Sequence, residues 1–169
     1  MKIAYISAAA RGETDRLMSE TAAFLAARQV RCAGIVKEEG YSSAFANGCD
    51  MKVQVLPDGP VIKITQDLGE GSDACRLNPA AIAEAVANVE NGALADARMF
   101  LLNKFGPEEV EGRGFRGVIG KALELEIPVL VGVSNASRKE FEAFADGLAE
   151  ALPADSDAIR DWCLAAVEG

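Results

Sequence analysis

Apolar residues along the chain fall into two patterns that alternate from end to end, short continuous runs and longer stretches with helical spacing. Lys2-Ile3-Ala4-Tyr5-Ile6 begins a strand over residues 2 to 7. From about Thr14 to Arg28, Leu17, Thr21, Phe24 and Leu25 share one helical face, the stripe expected of a core-facing helix. A second strand follows at Cys32-Ala33-Gly34-Ile35-Val36, then an aperiodic loop over residues 38 to 50. Val53 and Val55 alternate with polar residues, Pro57-Asp58-Gly59-Pro60 supplies a turn, and Ile62 and Ile64 alternate again. That is an antiparallel hairpin.

Residues 67 to 77 predict a second loop. Asn78 and Pro79 then start a helix, because the Asn side chain caps free amides and Pro suits the first helical position. Ile82, Val86 and Val89 form its inward stripe. Met99-Phe100-Leu101-Leu102 is apolar on both faces, as a central parallel strand requires. A helix from about Pro107 turns Phe115, Val118, Ile119, Ala122 and Leu123 inward. Gly112 and Gly114 within it predict a break or a close backbone approach. Pro128 to Val133 forms another buried strand, and Ser137-x-x-Glu140 fits a capping box for a helix carrying Phe141, Phe144 and Leu148. After Pro153 a last helix holds Ile159, Trp162 and Cys163. Strands alternating with helices predict an α/β fold: three layers, a mostly parallel sheet flanked by helices, with an inserted β-hairpin. With 169 residues and no repeat or linker, the chain predicts a single domain over residues 1–169.

Charge and composition narrow the chemistry. Seventeen basic residues stand against 26 acidic ones, a net charge of -9, which disfavours a nucleic-acid or anionic-membrane surface. Histidine is absent, so Ser-His-Asp and Cys-His catalysis and imidazole zinc sites are excluded. No run approaches the ~20 apolar residues that span a bilayer. The first strand begins at Lys2 without the segments of a signal peptide, and a cytoplasmic protein is expected. Cys32, Cys49, Cys75 and Cys163 form no C-x-x-C pair and fit buried, reduced thiols.

In parallel sheets, ligands bind beyond the carboxyl ends of strands. Ser7-Ala8-Ala9-Ala10-Arg11-Gly12-Glu13-Thr14 sits where a G-x-x-x-x-G-K-[ST] phosphate loop sits, between strand and helix. Gly12 and Thr14 match that pattern, Ser7 replaces its first glycine, and Glu13 replaces its lysine. Helix-start amides beside small residues still suit an anion, Arg11 supplies a positive charge, and Thr14 is placed to help cap the helix. An ordinary strand-to-helix turn accounts for the same residues.

Asn103-Lys104-Phe105-Gly106 follows the next central strand, where a nucleoside-triphosphatase places an aspartate for magnesium and then a glutamate for water. Asn103 lacks that charge and Lys104 replaces another acid. Glu108, Glu109 and Glu111 are either functional acids or residues complementing a helix dipole, and Arg113 adds a cation nearby. Cys49, Asp50 and Cys75 flank the hairpin and are candidates for a soft metal, set against simple packing of the thiols. Arg76, beside the Asn78 helix start, is a candidate for an oxyanion.

Several segments resemble a family of bacterial proteins, domain of unknown function 2478. They are Arg31 to Val36, Cys49-Asp50-Met51, Gln66-Asp67-Leu68-Gly69, Cys75-Arg76-Leu77-Asn78-Pro79, and above all Asn103-Lys104-Phe105-Gly106 through Glu111-Gly112-Arg113-Gly114. Pro128-Val129-Leu130 and Trp162 fit as well, so the resemblance spans nearly the whole chain. It implies a relative of P-loop nucleoside-triphosphatases. Genes of this family are often found near molybdate-transport genes, which implies a link to molybdate or other oxyanion metabolism. The order of parts is also similar to small nucleoside-triphosphatases carrying Asp-Glu-x-Gly-x-x-Glu. On that motif Asn103 and Lys104 replace the acidic pair, Gly106 matches the glycine and Glu109 the final acid.

The residues therefore predict a P-loop-like protein that binds a small anionic ligand or a protein partner without hydrolysing nucleotide. The binding candidates are Ser7, Arg11, Gly12, Glu13, Thr14, Arg76, Asn103, Lys104, Gly106, Glu109 and Arg113. The alternative is an active nucleoside-triphosphatase, with Arg11 or Lys104 as a displaced cation and Glu109 positioning water. Lys104 is then expected to leave a strand next to the first. No cofactor is identified from the residues.

Overall fold

A computed structural model describes residues 1–43, 50–67 and 75–169. The chain runs β1 (Ile3–Ile6), α1 (Glu13–Ala27), β2 (Cys32–Lys37), β3 (Lys52–Val55), β4 (Val61–Lys63), β5 (Thr65–Asp67), β6 (Cys75–Leu77) and α2 (Pro79–Asn91). It continues through β7 (Met99–Phe105), α3 (Pro107–Val110), α4 (Arg116–Glu124), β8 (Val129–Val133), α5 (Arg138–Ala145), β9 (Ala149–Leu152) and α6 (Ser156–Glu168).

Seven strands form one sheet in the order β4-β3-β2-β7-β8-β1-β9. The five from β2 to β9 are parallel, and β3 and β4 extend the β2 edge as an antiparallel hairpin. Alternate residues of each strand face opposite helical layers. Ile3, Tyr5, Phe100, Leu102, Val129 and Val131 pack with α2, α4 and α5. Ala4, Ile6, Met99, Leu101 and Leu130 pack with α1 and α6. This is the three-layer α/β arrangement that the alternating pattern predicts, and the central strands are buried on both faces as their apolar runs require. Among the described residues no helix is long and apolar enough to cross a membrane.

Several local expectations change. The segment predicted as a loop over 67 to 77 includes β6, which pairs with β5 as a second small hairpin. Three-residue strands are too short to show alternation. β9 pairs in parallel with β1 at the sheet edge, although Ala149-Glu150-Ala151-Leu152 carries little strand signal. Ser137 ends a 3-10 turn and makes no side-chain cap, so the capping box is not formed. Leu148 lies beyond the end of α5 and is exposed instead of inward.

The chain region from Pro107 is two helices, not one. Between them Gly112 and Gly114 both have positive φ, at 87° and 59°, as the glycine signal anticipated. A Cβ on Gly114 would lie 1.8 Å from Glu109 Oε2, so only glycine leaves room for that carboxylate.

Candidate functional site

At the carboxyl end of β1 the chain turns through residues 7 to 12 and enters α1 with Gly12 at its N-cap in the left-handed region, φ 77°. Thr14 does not cap the helix as expected; no side chain does. Its Oγ1 instead accepts from the Ala8 amide at 3.0 Å, closing the loop on itself. Ser7 donates to Asn135 Oδ1 at 3.2 Å, tying this loop to the one after β8. Glu13 pairs with Arg16 along the helix surface, and that guanidinium holds its carboxyl below the usual range.

Beside the loop lies a cleft of about 390 Å³, lined by Ala8 to Gly12, Thr14, Asp15, Lys37, Met51, Asn103, Lys104, Ser134 and Asn135. The carboxyl ends of β1, β2, β7 and β8 contribute, which is why residues distant in sequence meet there. Among the described residues, three cations, Arg11, Lys37 and Lys104, line it with one carboxylate, Asp15. Asn103 is buried and engaged through both ends of its amide: its Nδ2 donates to Asp15 Oδ1 at 2.9 Å, and its Oδ1 accepts from the Lys37 amide at 3.3 Å. The position where a magnesium-holding acid was expected thus carries an amide that orients an acid on α1. Asp15 and Lys37 were not among the sequence candidates. Their signal was positional, Asp15 directly after Thr14 and Lys37 at the end of β2.

Lys104 does not leave a strand adjacent to β1, since β8 lies between β7 and β1. Lys104 and Asn103 are not beyond their strand either, because pairing with β8 extends β7 to Phe105. Lys104 is exposed and still lines the same cleft as Gly12 and Thr14.

A second cavity of about 330 Å³ lies on the α2 side of β7, and its wall includes Arg76, Lys104, Gly106 and Glu109. Glu109 accepts from the Gly106 amide through Oε1 and from the Phe115 amide through Oε2, each at 2.9 Å. Its carboxylate braces the turn between α3 and α4. Burial pushes this carboxyl above the usual range, while the two backbone donors pull the other way. Gln66 Oε1 is placed to accept from Arg76 Nε at 2.9 Å. Arg113 is exposed and paired with Glu108, whose carboxyl it holds below the usual range. Neither Arg113 nor Glu13 lines either cavity.

Of the soft-metal candidates, Cys49 and the Cys75 side chain lie outside the described residues. Asp50 is buried, accepts from the Tyr41 and Ser43 hydroxyls, and has Lys63 Nζ at 4.0 Å. Among the described residues no group of three metal-ligating side chains occurs. Cys32 and Cys163 are free and buried, and burial pushes both thiols up to about 12. They sit in the core as inert thiols.

The parallel sheet, the turn after β1 and the cleft at the strand ends define an α/β protein with a P-loop nucleoside-triphosphatase-like fold. The chain belongs to the family described as "Protein of unknown function (DUF2478)", whose model matches residues 3–162. It is 29% identical over 163 residues to "Molybdenum import ATP-binding protein ModC 2" of Bradyrhizobium diazoefficiens, covering 95% of this chain and 18% of that protein. The chain thus spans less than a fifth of that relative's length. Its fold is similar to THEP1 from the hyperthermophile Aquifex aeolicus, with a TM-score of 0.67, 15% identity and full coverage of both chains. It is also similar to a human cancer-related nucleoside triphosphatase, with a TM-score of 0.59, 12% identity, and coverage of 99% of this chain and 96% of that one.

Proposed function

We propose that this protein binds a small anionic ligand in the cleft beside the β1–α1 loop and does not hydrolyse nucleoside triphosphate. One observation carries the reading: Arg11, Lys37 and Lys104 line a single cleft in a chain whose net charge is -9. Concentrating cations there favours an anion, and the backbone amides opening α1 add to the attraction. Hydrolysis needs a cation at the γ-phosphate and an anchored magnesium. Glu13 stands at the lysine position, and Asn103 commits its amide to Asp15. The relative named for molybdenum import supports molybdate or another oxyanion as the ligand class. A protein partner would fit the same charges by presenting an anionic group.

Active hydrolysis is favoured by Arg11 and Lys104, which line the cleft with Gly12 and Thr14 and are the candidates for the missing cation. Glu109, the water-positioning candidate, lines the second cavity with both oxygens held by backbone amides.

Two measurements test the proposal. Phosphate release from ATP and GTP with magnesium should stay at background; turnover that disappears in Thr14→Ala and Lys104→Ala variants would overturn the non-hydrolytic part. Phosphate, sulfate, molybdate or tungstate should raise the melting temperature by mass action. If none does at millimolar concentration, and no organic phosphate does either, the anion reading fails.

A further inference from the structure

The loop cleft and the second cavity share a wall, because Met51, Asn103 and Lys104 line both. Their chemistries differ. The cleft is lined by small, polar and cationic groups, whereas Ile35, Val53, Ile64, Ile82, Leu102 and Phe115 make the second cavity mainly apolar. An open space of about 330 Å³ beside the core, with this apolar lining, falls within the size range of small-molecule sites.

We infer that the ligand is an organic anion, with its charged group in the loop cleft and an apolar, ring-bearing body in the second cavity. The inference rests on the anion reading above. Lys104 stands at the junction, where the anionic group and the body join. An inorganic oxyanion fills only the cleft and leaves the apolar wall unused. A ring body removes that wall and its own surface from water, and this supplies affinity that charge alone does not. Two polar groups on the cavity wall set its edge. Glu109 keeps acceptor capacity beyond its two backbone partners, and Arg76 keeps donor capacity beyond Gln66. Polar substituents on the ring are thus accommodated.

Calorimetric titration of the whole chain with inorganic phosphate, phenyl phosphate, 1-naphthyl phosphate and 1-naphthol, at one pH and ionic strength, tests this. Naphthyl phosphate should bind at least about tenfold tighter than inorganic phosphate, and tighter than naphthol. Ala85→Leu, on α2 in the second cavity's wall, should shrink the ratio between naphthyl and inorganic phosphate towards one. Equal affinity of the wild-type chain for the two phosphates overturns the organic body while leaving the anion cleft standing. A ratio unchanged in Ala85→Leu overturns the second cavity as its seat. Absence of binding by every anion overturns the cleft reading as well. The wild-type series decides even if the variant does not fold.

Discussion

Asn103 and Glu109 each spend a buried polar side chain on holding structure at the edge of a cavity. Asn103 joins β2, β7 and α1 through its contacts with Lys37 and Asp15. Asn103→Asp would replace the donated hydrogen bond with two carboxylates facing each other. Such a change should cost about 1–3 kcal/mol in urea unfolding at neutral pH. The loss should shrink at low pH, since like charge raises one carboxyl's pKa and stability then falls as pH rises through it. Glu109→Gln keeps one acceptor but turns an amide donor against a backbone N–H, for a loss of about 1–3 kcal/mol. Glu109 also predicts a pH signature. Because burial raises its native pKa, its contribution is present below the ordinary carboxylate range and lost as pH rises through the native value. The stability gap between wild type and Glu109→Gln should therefore narrow with rising pH across that window. A gap that widens with pH would show that the two backbone donors outweigh burial.

At the scale of elements, the break between α3 and α4 builds one wall of the second cavity. Gly114→Ala should destabilise by at least about 1 kcal/mol, from its φ of 59° and from displacement of the Glu109 carboxylate. The check is a thermal melt of the variant beside Gly117→Ala, a helix position where an added Cβ meets nothing within 4 Å. Equal melting temperatures would show that the turn does not need glycine. The break itself was legible, because two glycines in a helical pattern are costly without a reason. So was the Asn78 cap, which accepts from the Ala80 and Ala81 amides as expected. β9 was not legible, since its partner β1 lies more than 140 residues away and supplies the pairing that its own residues do not advertise. Ser137 shows the opposite failure: the local cap pattern is present, but a 3-10 turn occupies the place where the cap would form.

For the molecule as a whole, charge is distributed against its own average. A net charge of -9 repels anions at long range, while in the function proposed above the cleft lined by Arg11, Lys37 and Lys104 attracts them at short range. Screening acts on both. At about 0.1 M salt the Debye length is about 10 Å, so added salt relieves the long-range repulsion and weakens the contacts made at the exposed side chains. Binding of an inorganic oxyanion should weaken as sodium chloride rises from low to high ionic strength, as followed by calorimetry. Binding that strengthens instead would mean that the overall acidity dominates and the cleft does not hold the ion.

The local order of residues by itself determined the alternating α/β pattern, the glycine turn that leads from the first strand into its helix, and the amide at the end of the central strand, because propensity, periodicity and side-chain charge act over a few positions. Only the tertiary structure decided the partners: Asp15 for Asn103, Lys37 in the cleft, β8 between β7 and β1, and an apolar cavity beside the loop. Those depend on strand order and on which strand ends converge, and contacts across the sheet leave no mark in the spacing of neighbouring residues.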